Sequence, residues 1–377
     1  MVKAVYIHIP FCPQKCNYCD FLSFQQMKEE RMAAYVQALC QELRLGAAQY
    51  ELQPQTIFIG GGTPTCLPLE LLQQLLEQVQ EILVTPALQE YTVEANPGTL
   101  TAEKLNLLRE LGVNRLSLGV QSDTVEQLSL LGRIHDYQEV EQSVQMAREA
   151  GFTNLNLDLM YGITNQTLEQ WQATLQHVLA LEPEHISLYQ LNIEEGTPLY
   201  QRLQKGEIEL FDDETAEEMY RAAQQITKQY GYEQYEISNY AREGFASEHN
   251  QVYWRTENYL AFGLGACSFI SPRRWNNLTH LHEYQQAVFN GQLPQGEEES
   301  LTHKERMSET VFMALRMNKG LKEADFKERF GLTLEQAFPE ACRKCQQEGW
   351  LEKEVGYWRL TEAGRVLGNL VFLEFIE

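Results

Sequence analysis

Long apolar runs are what this chain most lacks: nowhere in its 377 residues do roughly 18 consecutive apolar side chains occur, so no membrane-crossing helix is expected. Basic residues are also scarce. Thirty Lys and Arg stand against 53 Asp and Glu, a formal charge of −23, and no Lys/Arg-rich run breaks the acidic surface. Such a field repels phosphate backbones and anionic membranes; no nucleic-acid partner is expected, and the excess acid reads as a solvated surface. Low-complexity linkers and internal repeats are missing too. The apolar stretch AVYIHIP is cut at Pro10, too early for a signal peptide, and the eight cysteines do not form the even framework of a small secreted protein. A reducing, cytoplasmic setting is expected, with a core large enough to need no disulfides.

What is present is alternation. Short β-branched or aromatic runs at 4–10, 56–62, 91–97, 115–122, 154–162 and 185–193 are separated by helical patterns at 26–48, 68–83, 101–111, 136–150 and 167–181. Six such βα units predict a parallel sheet with helices outside it. Unusual polar and glycine residues sit at the end of strand after strand: the cysteines after the first, Gly60 to Thr63 after the second, Glu94 and Asn96 on the third, then Gln121, Asp158 and Gln190. That pattern favours a barrel-like sheet, with its site at the C-terminal rim, over an open doubly wound one. A further helix (212–229) and a strand-like EQYEISNYA (233–241) follow. From about 296, a helix, a two-strand wing and a helix predict a winged-helix-like α+β module, which lacks the basic recognition helix of a DNA binder. The expected organisation is a barrel over 1–240, a connecting region over 241–295 and the C-terminal module over 296–377.

The stretch HIPFCPQKCNYCDF, His8 to Phe21, puts Cys12, Cys16 and Cys19 into eight residues directly after the first strand. A structural zinc wants four closed ligands, and His8 could complete such a set. A cubane iron–sulfur cluster held by three thiolates instead leaves one iron open to an outside ligand. The spacing alone leaves both readings standing. Among the other thiols, Cys342 and Cys345 have redox-motif spacing but fall in a predicted helix, where packing is expected. Cys40 and Cys66 read as small hydrophobes, and Cys267 lies in the Gly-rich FGLGACSF, expected near the rim.

Taken together, C-x3-C-x2-C after the first strand and the segments YIHIPFC, GGGTPT, VEANP, RLSLGVQS, LGRIH and LDLMYG resemble the radical S-adenosylmethionine (SAM) superfamily. The resemblance covers nearly the whole chain and falls in the branch that holds oxygen-independent coproporphyrinogen III oxidase and the HemW-type haem chaperones. It implies an α/β fold with a partial (β/α)6 TIM-like barrel, and a [4Fe–4S] cluster on Cys12, Cys16 and Cys19 whose open iron is chelated by the amino and carboxylate groups of SAM. Carried over position by position, it implies that Tyr6 and Tyr18 flank the cofactor and that Gly61, Gly62 and Thr63 let backbone approach its methionine end. It further implies that Glu94 accepts from the SAM amino group, that Arg133 pairs with its carboxylate, and that Gln121 and Asp158 complete the site.

The oxidases of this branch carry a fourth cysteine two places after the third, where this chain has Phe21. HemW-type sequences share that departure, so decarboxylation of coproporphyrinogen is not expected, while other enzyme activity stays open. HNQVYW, His249 to Trp254, matches the HNxxYW motif of the HemW type. The resemblance implies haem bound there, with His249 able to ligate iron and Asn250, Tyr253 and Trp254 around it. The implied function is a chaperone that binds haem and passes it to an acceptor haemoprotein. Arg242, Arg255, Arg273 and Arg274 are expected near the haem propionates. The rivals are the oxidase itself, another radical SAM enzyme and a zinc protein; a homodimer is compatible with the sequence.

Overall fold

In the computed structural model, which describes residues 2–376, the six expected βα units form in sequence order. Strands β1 (Val2–Ile9), β2 (Leu52–Gly61), β3 (Glu90–Ala95), β4 (Arg115–Gln121), β5 (Leu155–Tyr161) and β6 (His185–Gln190) lie side by side and parallel. All seven residues of β4 are buried, as parallel strands are when helices cover one face and side chains fill the other. Helices α1 (Glu29–Gln49), α2 (Leu69–Leu83), α3 (Ala102–Glu110), α4 (Val125–Leu131), α5 (Tyr137–Glu149) and α6 (Leu168–Leu179) connect them. Their starts are written in the sequence: Asp136 with Glu139 and Thr167 with Gln170 close capping boxes on α5 and α6. Leu39, Leu43, Leu75, Val79, Ile57 and Ile59 belong to the continuous apolar core that joins these helices to the sheet.

Beyond β6 the fold departs from the sequence expectation in two places. The segment 233–241 is not one strand but a hairpin, β7 (Glu233–Glu236) and β8 (Asn239–Ala241), because Ser238 turns to give its carbonyl to the Leu188 amide. A seventh parallel strand, β9 (Tyr259–Phe262), pairs with the free side of β1. It is followed by the antiparallel β10 (Cys267–Ile270), β11 (Arg273–Asn277) and β12 (Gln295–Ser300). The twelve strands run in the order β12-β11-β10-β9-β1-β2-β3-β4-β5-β6-β8-β7. The end strands β12 and β7 do not pair with each other, so the barrel is partial.

The C-terminal part has its own core, built on Val311, Phe326, Trp358 and Phe375. A small sheet covers it, β13 (Leu321–Lys322), β14 (Leu351–Glu354) and β15 (Tyr357–Leu360), in the order β13-β15-β14. Cys342 and Cys345 are buried in this core on the helix Pro339–Gln347, which is the packing role their pattern suggested. No described helix is long and apolar enough to cross a membrane.

Candidate functional site

Where β1 ends, the chain leaves the barrel as the cysteine loop, and hydrogen bonds fix its path. Phe11 and Cys12 pair with Phe24 and Gln25 in a short parallel bridge. The far end of the loop caps α4. A helix leaves its last carbonyls without partners of its own; here Asn17 donates through its amide N–H to Leu131 O (2.9 Å) and through Nδ2 to Leu130 O (2.8 Å), and Gln14 Nε2 donates to Gly132 O (3.1 Å). Gly132 ends the helix at φ 74°. A Cβ there would stand 2.9 Å from the Asn17 side chain, so glycine is needed both for the left-handed turn and for the approach of the loop. The turn reverses the chain through the Arg133 N–H to Leu128 O bond (2.9 Å) and delivers Arg133 to the rim. The unpredicted helix α4 is thus the part that couples the thiols to the arginine.

Cys12, Cys16 and Cys19 are half-buried free thiols that line one cavity of about 440 Å³. Burial pushes the Cys12 and Cys19 thiols up, so a bound metal must displace their protons. Among the described residues no three His, Cys, Asp or Glu side chains converge as ligands of a single ion. The thiols of a cubane each bind a different iron and need not converge on one ion. His8, the possible fourth zinc ligand, is committed elsewhere: Nε2 bonds Leu22 O (3.0 Å) and Nδ1 bonds the Tyr6 hydroxyl (2.9 Å).

A chain of donors runs from the rim arginine to the first thiol. Arg133 Nη1 donates to Asn96 Oδ1 (2.6 Å), Asn96 Nδ2 donates to Thr63 Oγ1 (2.8 Å), and Thr63 Oγ1 donates to Cys12 Sγ (3.8 Å). Arg133 also donates through Nη2 to the Tyr18 hydroxyl (2.9 Å), while its buried Nε has no partner. That unfilled donor fits a carboxylate. The glycine run beside it is a cradle: a Cβ on Gly62 would meet Phe11 O at 2.5 Å, and one on Gly61, at φ 108°, would meet the His8 ring at 2.3 Å. Gly119 is equally confined, since a Cβ there would lie 2.8 Å from Asn96 Oδ1.

Glu94 accepts the Gly61 N–H at 2.9 Å through one oxygen. Burial, reinforced by Asp158, raises its carboxyl to about 7. Asp158 accepts from Asn156 Nδ2 (2.8 Å) and Ser117 Oγ (3.2 Å) and is also raised, chiefly by burial. Gln121 closes β4 in the left-handed region (φ 68°), where a bulge against β5 turns the end of the strand. Of the positions expected to hold SAM, Tyr18, Gly61, Gly62, Thr63, Glu94, Gln121, Arg133 and Asp158 line the cavity with the three cysteines. Tyr6 is set back in the wall between His8 and Phe58.

The HNxxYW motif occupies a different place. It forms the helix Glu248–Trp254, which closes the N-terminal end of the barrel and is called the floor helix below. The Glu90 carboxylate on β3 receives the first donors of this helix: Ser247 Oγ (3.2 Å), Glu248 N–H (2.8 Å) and His249 N–H (3.1 Å). His249 is 1% exposed, stacks on Phe58 at 5.2 Å, and has both nitrogens engaged, Nδ1 with Thr56 Oγ1 and Nε2 with Tyr253 OH, each at 2.8 Å. Burial, and the nearby Arg115 charge, lower it to about 3 and keep it neutral. In this conformation both ring nitrogens are therefore engaged, and a bond to iron would require the ring to leave Thr56 or Tyr253. Trp254 lies under the Arg316 guanidinium (4.4 Å), and of the motif only Asn250 borders the cavity. None of the four arginines expected near propionates lines the cavity. Arg255 pairs with Glu257 (2.9 Å), Arg273 with Glu298 (3.8 Å) and Arg274 with Glu299 (3.2 Å), and Arg242 lies over Tyr232.

Sequence reasoning missed Arg115, Ser117 and Asn156, which border the same cavity. The signal was available: Arg115, Ser117, Gly119 and Gln121 alternate along β4, and the last of them had already been assigned to the rim.

Comparison with known proteins agrees with this architecture. Residues 6–178 match the radical SAM superfamily and residues 301–367 the HemN C-terminal domain. The chain is 38% identical to the haem chaperone HemW of Bacillus subtilis, covering 100% of this chain and 99% of that protein. It is 34% identical to the haem chaperone HemW of Escherichia coli, with 99% and 98% covered. The solved structure of coproporphyrinogen III oxidase (HemN) from Escherichia coli, a radical SAM enzyme, superposes with a TM-score of 0.86 at 25% identity, covering 99% of this chain and 90% of that one. End to end, this chain belongs to the HemW family of the radical SAM superfamily.

Proposed function

We propose that this chain is a cytoplasmic haem chaperone that binds haem and passes it to an acceptor haemoprotein. The observation that carries the reading is the likeness to curated haem chaperones over the full length of both chains. In this reading Cys12, Cys16 and Cys19 hold a [4Fe–4S] cluster, which supplies an open iron for chelation of SAM. The chain's own residues do the rest. Glu94 takes a hydrogen bond from the SAM amino group, the unfilled Nε of Arg133 is available to its carboxylate, and Gly61 and Gly62 leave room for its backbone-like end. Tyr18, Gln121 and Asp158 complete the wall, with Tyr6 behind it. Thr63 donates to Cys12 and supports the thiolate form that an iron ligand needs.

The test is anaerobic reconstitution with iron and sulfide, haem titration, and mixing with an apo-haemoprotein whose Soret band reports transfer. Failure to bind haem, or haem withheld from the acceptor, overturns the reading. Consumption of coproporphyrinogen with SAM and a reductant restores the oxidase reading. The same titration on His249→Ala decides what the motif does. Haem binding lost at an unchanged unfolding midpoint means that the ring leaves Thr56 and Tyr253 to meet iron. Haem binding kept at a lowered midpoint means that the motif serves as the barrel floor.

A further inference from the structure

Arg115 opens β4 at its N-terminal end and points into the barrel interior. Its side chain is among the largest that are fully buried, with the residue 2% exposed, yet its Nε has no hydrogen-bond partner and no ion pair joins it to any described residue. A buried guanidinium left this way is costly unless something completes it. Glu94 and Asp158 lie close enough to feel its charge, but no described acid hydrogen-bonds it. Asp158 is taken by Ser117 and Asn156, Glu90 by the floor helix, and Glu94 turns one oxygen to Gly61. The same cavity is bordered by Asn250, whose backbone N–H is used by Ser247 Oγ (3.3 Å) and whose side-chain amide bonds no described residue. Two sets of open donors, one from a strand and one from the floor helix, therefore border the same space, and Phe58 and Met160 give that space apolar walls.

We propose that Arg115 and Asn250 form a carboxylate-binding subsite on the cavity floor, below the residues expected to hold SAM, for a ligand whose carboxylate carries an apolar tail. The planar fork of arginine matches a carboxylate with two parallel bonds, and the Asn250 amide supplies a third donor. The subsite rests on the cavity alone and not on the haem reading. A free organic acid and a propionate arm of haem are two sources of the same group.

The experiment uses the cluster-loaded protein and two probes, sodium propionate and the neutral propionamide, followed by line broadening of ¹³C-labelled ligand. Wild type is expected to bind propionate and not propionamide. Arg115→Gln should weaken propionate binding by about 10- to 100-fold, the loss of charge-assisted hydrogen bonds, and Arg115→Lys should restore part of it. Asn250→Ala, at a half-buried position on the floor helix, guards against an Arg115 variant that does not fold, and should weaken propionate by about fivefold as one neutral donor is lost. Propionate affinity unchanged in Arg115→Gln, or in both Arg115→Lys and Asn250→Ala, overturns the subsite, as does equal binding of propionamide. Protohaem and its dimethyl ester then separate the sources. If Arg115→Gln weakens haem but not the ester, the carboxylate is a haem propionate; if it weakens only propionate, the ligand is a free acid, and the subsite stands in both cases.

Discussion

Replacing Glu94 by Gln removes one titration from the barrel while keeping the shape of the side chain. Burial lifts this carboxyl from 4.5 to about 7, Asp158 adds to the rise, and the Gly61 N–H, Arg115 and Arg133 oppose it. Because the folded pKa lies above the unfolded one, the folded chain holds the proton more tightly. The resulting stabilisation is complete below the unfolded value and is lost as pH rises through the folded one. Linkage over these two values removes about 1.3 kcal/mol between about pH 6 and pH 8. Glu42, also raised to about 7 by burial, loses stability in wild type and variant alike and cancels from their difference. Urea unfolding at the two pH values should therefore show wild type losing about 1 kcal/mol more than Glu94→Gln. The same charge is the acceptor proposed for the SAM amino group, so wild-type affinity for SAM, divided by that of the variant, should rise about tenfold over the same interval. The amino group of the ligand titrates equally in both measurements and drops out of the ratio. Parallel stability curves would refute the argument from burial, and a ratio independent of pH would refute the role of the carboxylate.

Three further outcomes are expected. Thr63→Val cuts the donor chain between Asn96 and Cys12, and iron release from the reconstituted protein to a chelator should become about tenfold faster; an unchanged rate would mean that the 3.8 Å contact to sulfur contributes nothing. Gly61→Ala forces a side chain onto φ 108° and into the His8 ring, and denaturant unfolding should show a loss of about 2–3 kcal/mol. His249→Ala deletes a buried ring and its bonds to Thr56 and Tyr253, so the unfolding free energy should fall by about 3 kcal/mol; a fall below about 1 kcal/mol would contradict its place in the floor.

The repeating units were legible because their periods are clean. Predicted strands and helices fall within a few residues of β1 to β6 and of five of the six connecting helices. Residues that close their strands, such as Glu94 and Gln121, announced the rim because polar side chains at the end of apolar strands have few other uses. Three things were hidden. Helix α4 spans only seven residues and carries too little periodicity to stand out from the loop around it. Strand β9 resembles any short apolar run until its parallel pairing with β1 is seen. The HNxxYW helix could be placed only by contacts across the chain, Thr56 to His249 and Glu90 to Ser247, which no local pattern records. For the same reason nothing local marked Arg115, which the fold buries with no hydrogen-bond partner on Nε.

The floor helix gives the barrel a blind end. Anything seated beside Arg115 and Asn250 shares one passage with whatever sits at Glu94 and Arg133, and lies deeper in it. Filling must then run from the bottom upward and emptying from the top downward, so an upper guest acts as a lid on the lower one. With both proposed guests in place, departure of the nucleotide would be the step that frees its neighbour, a timing device set by connectivity alone, with no hinge required.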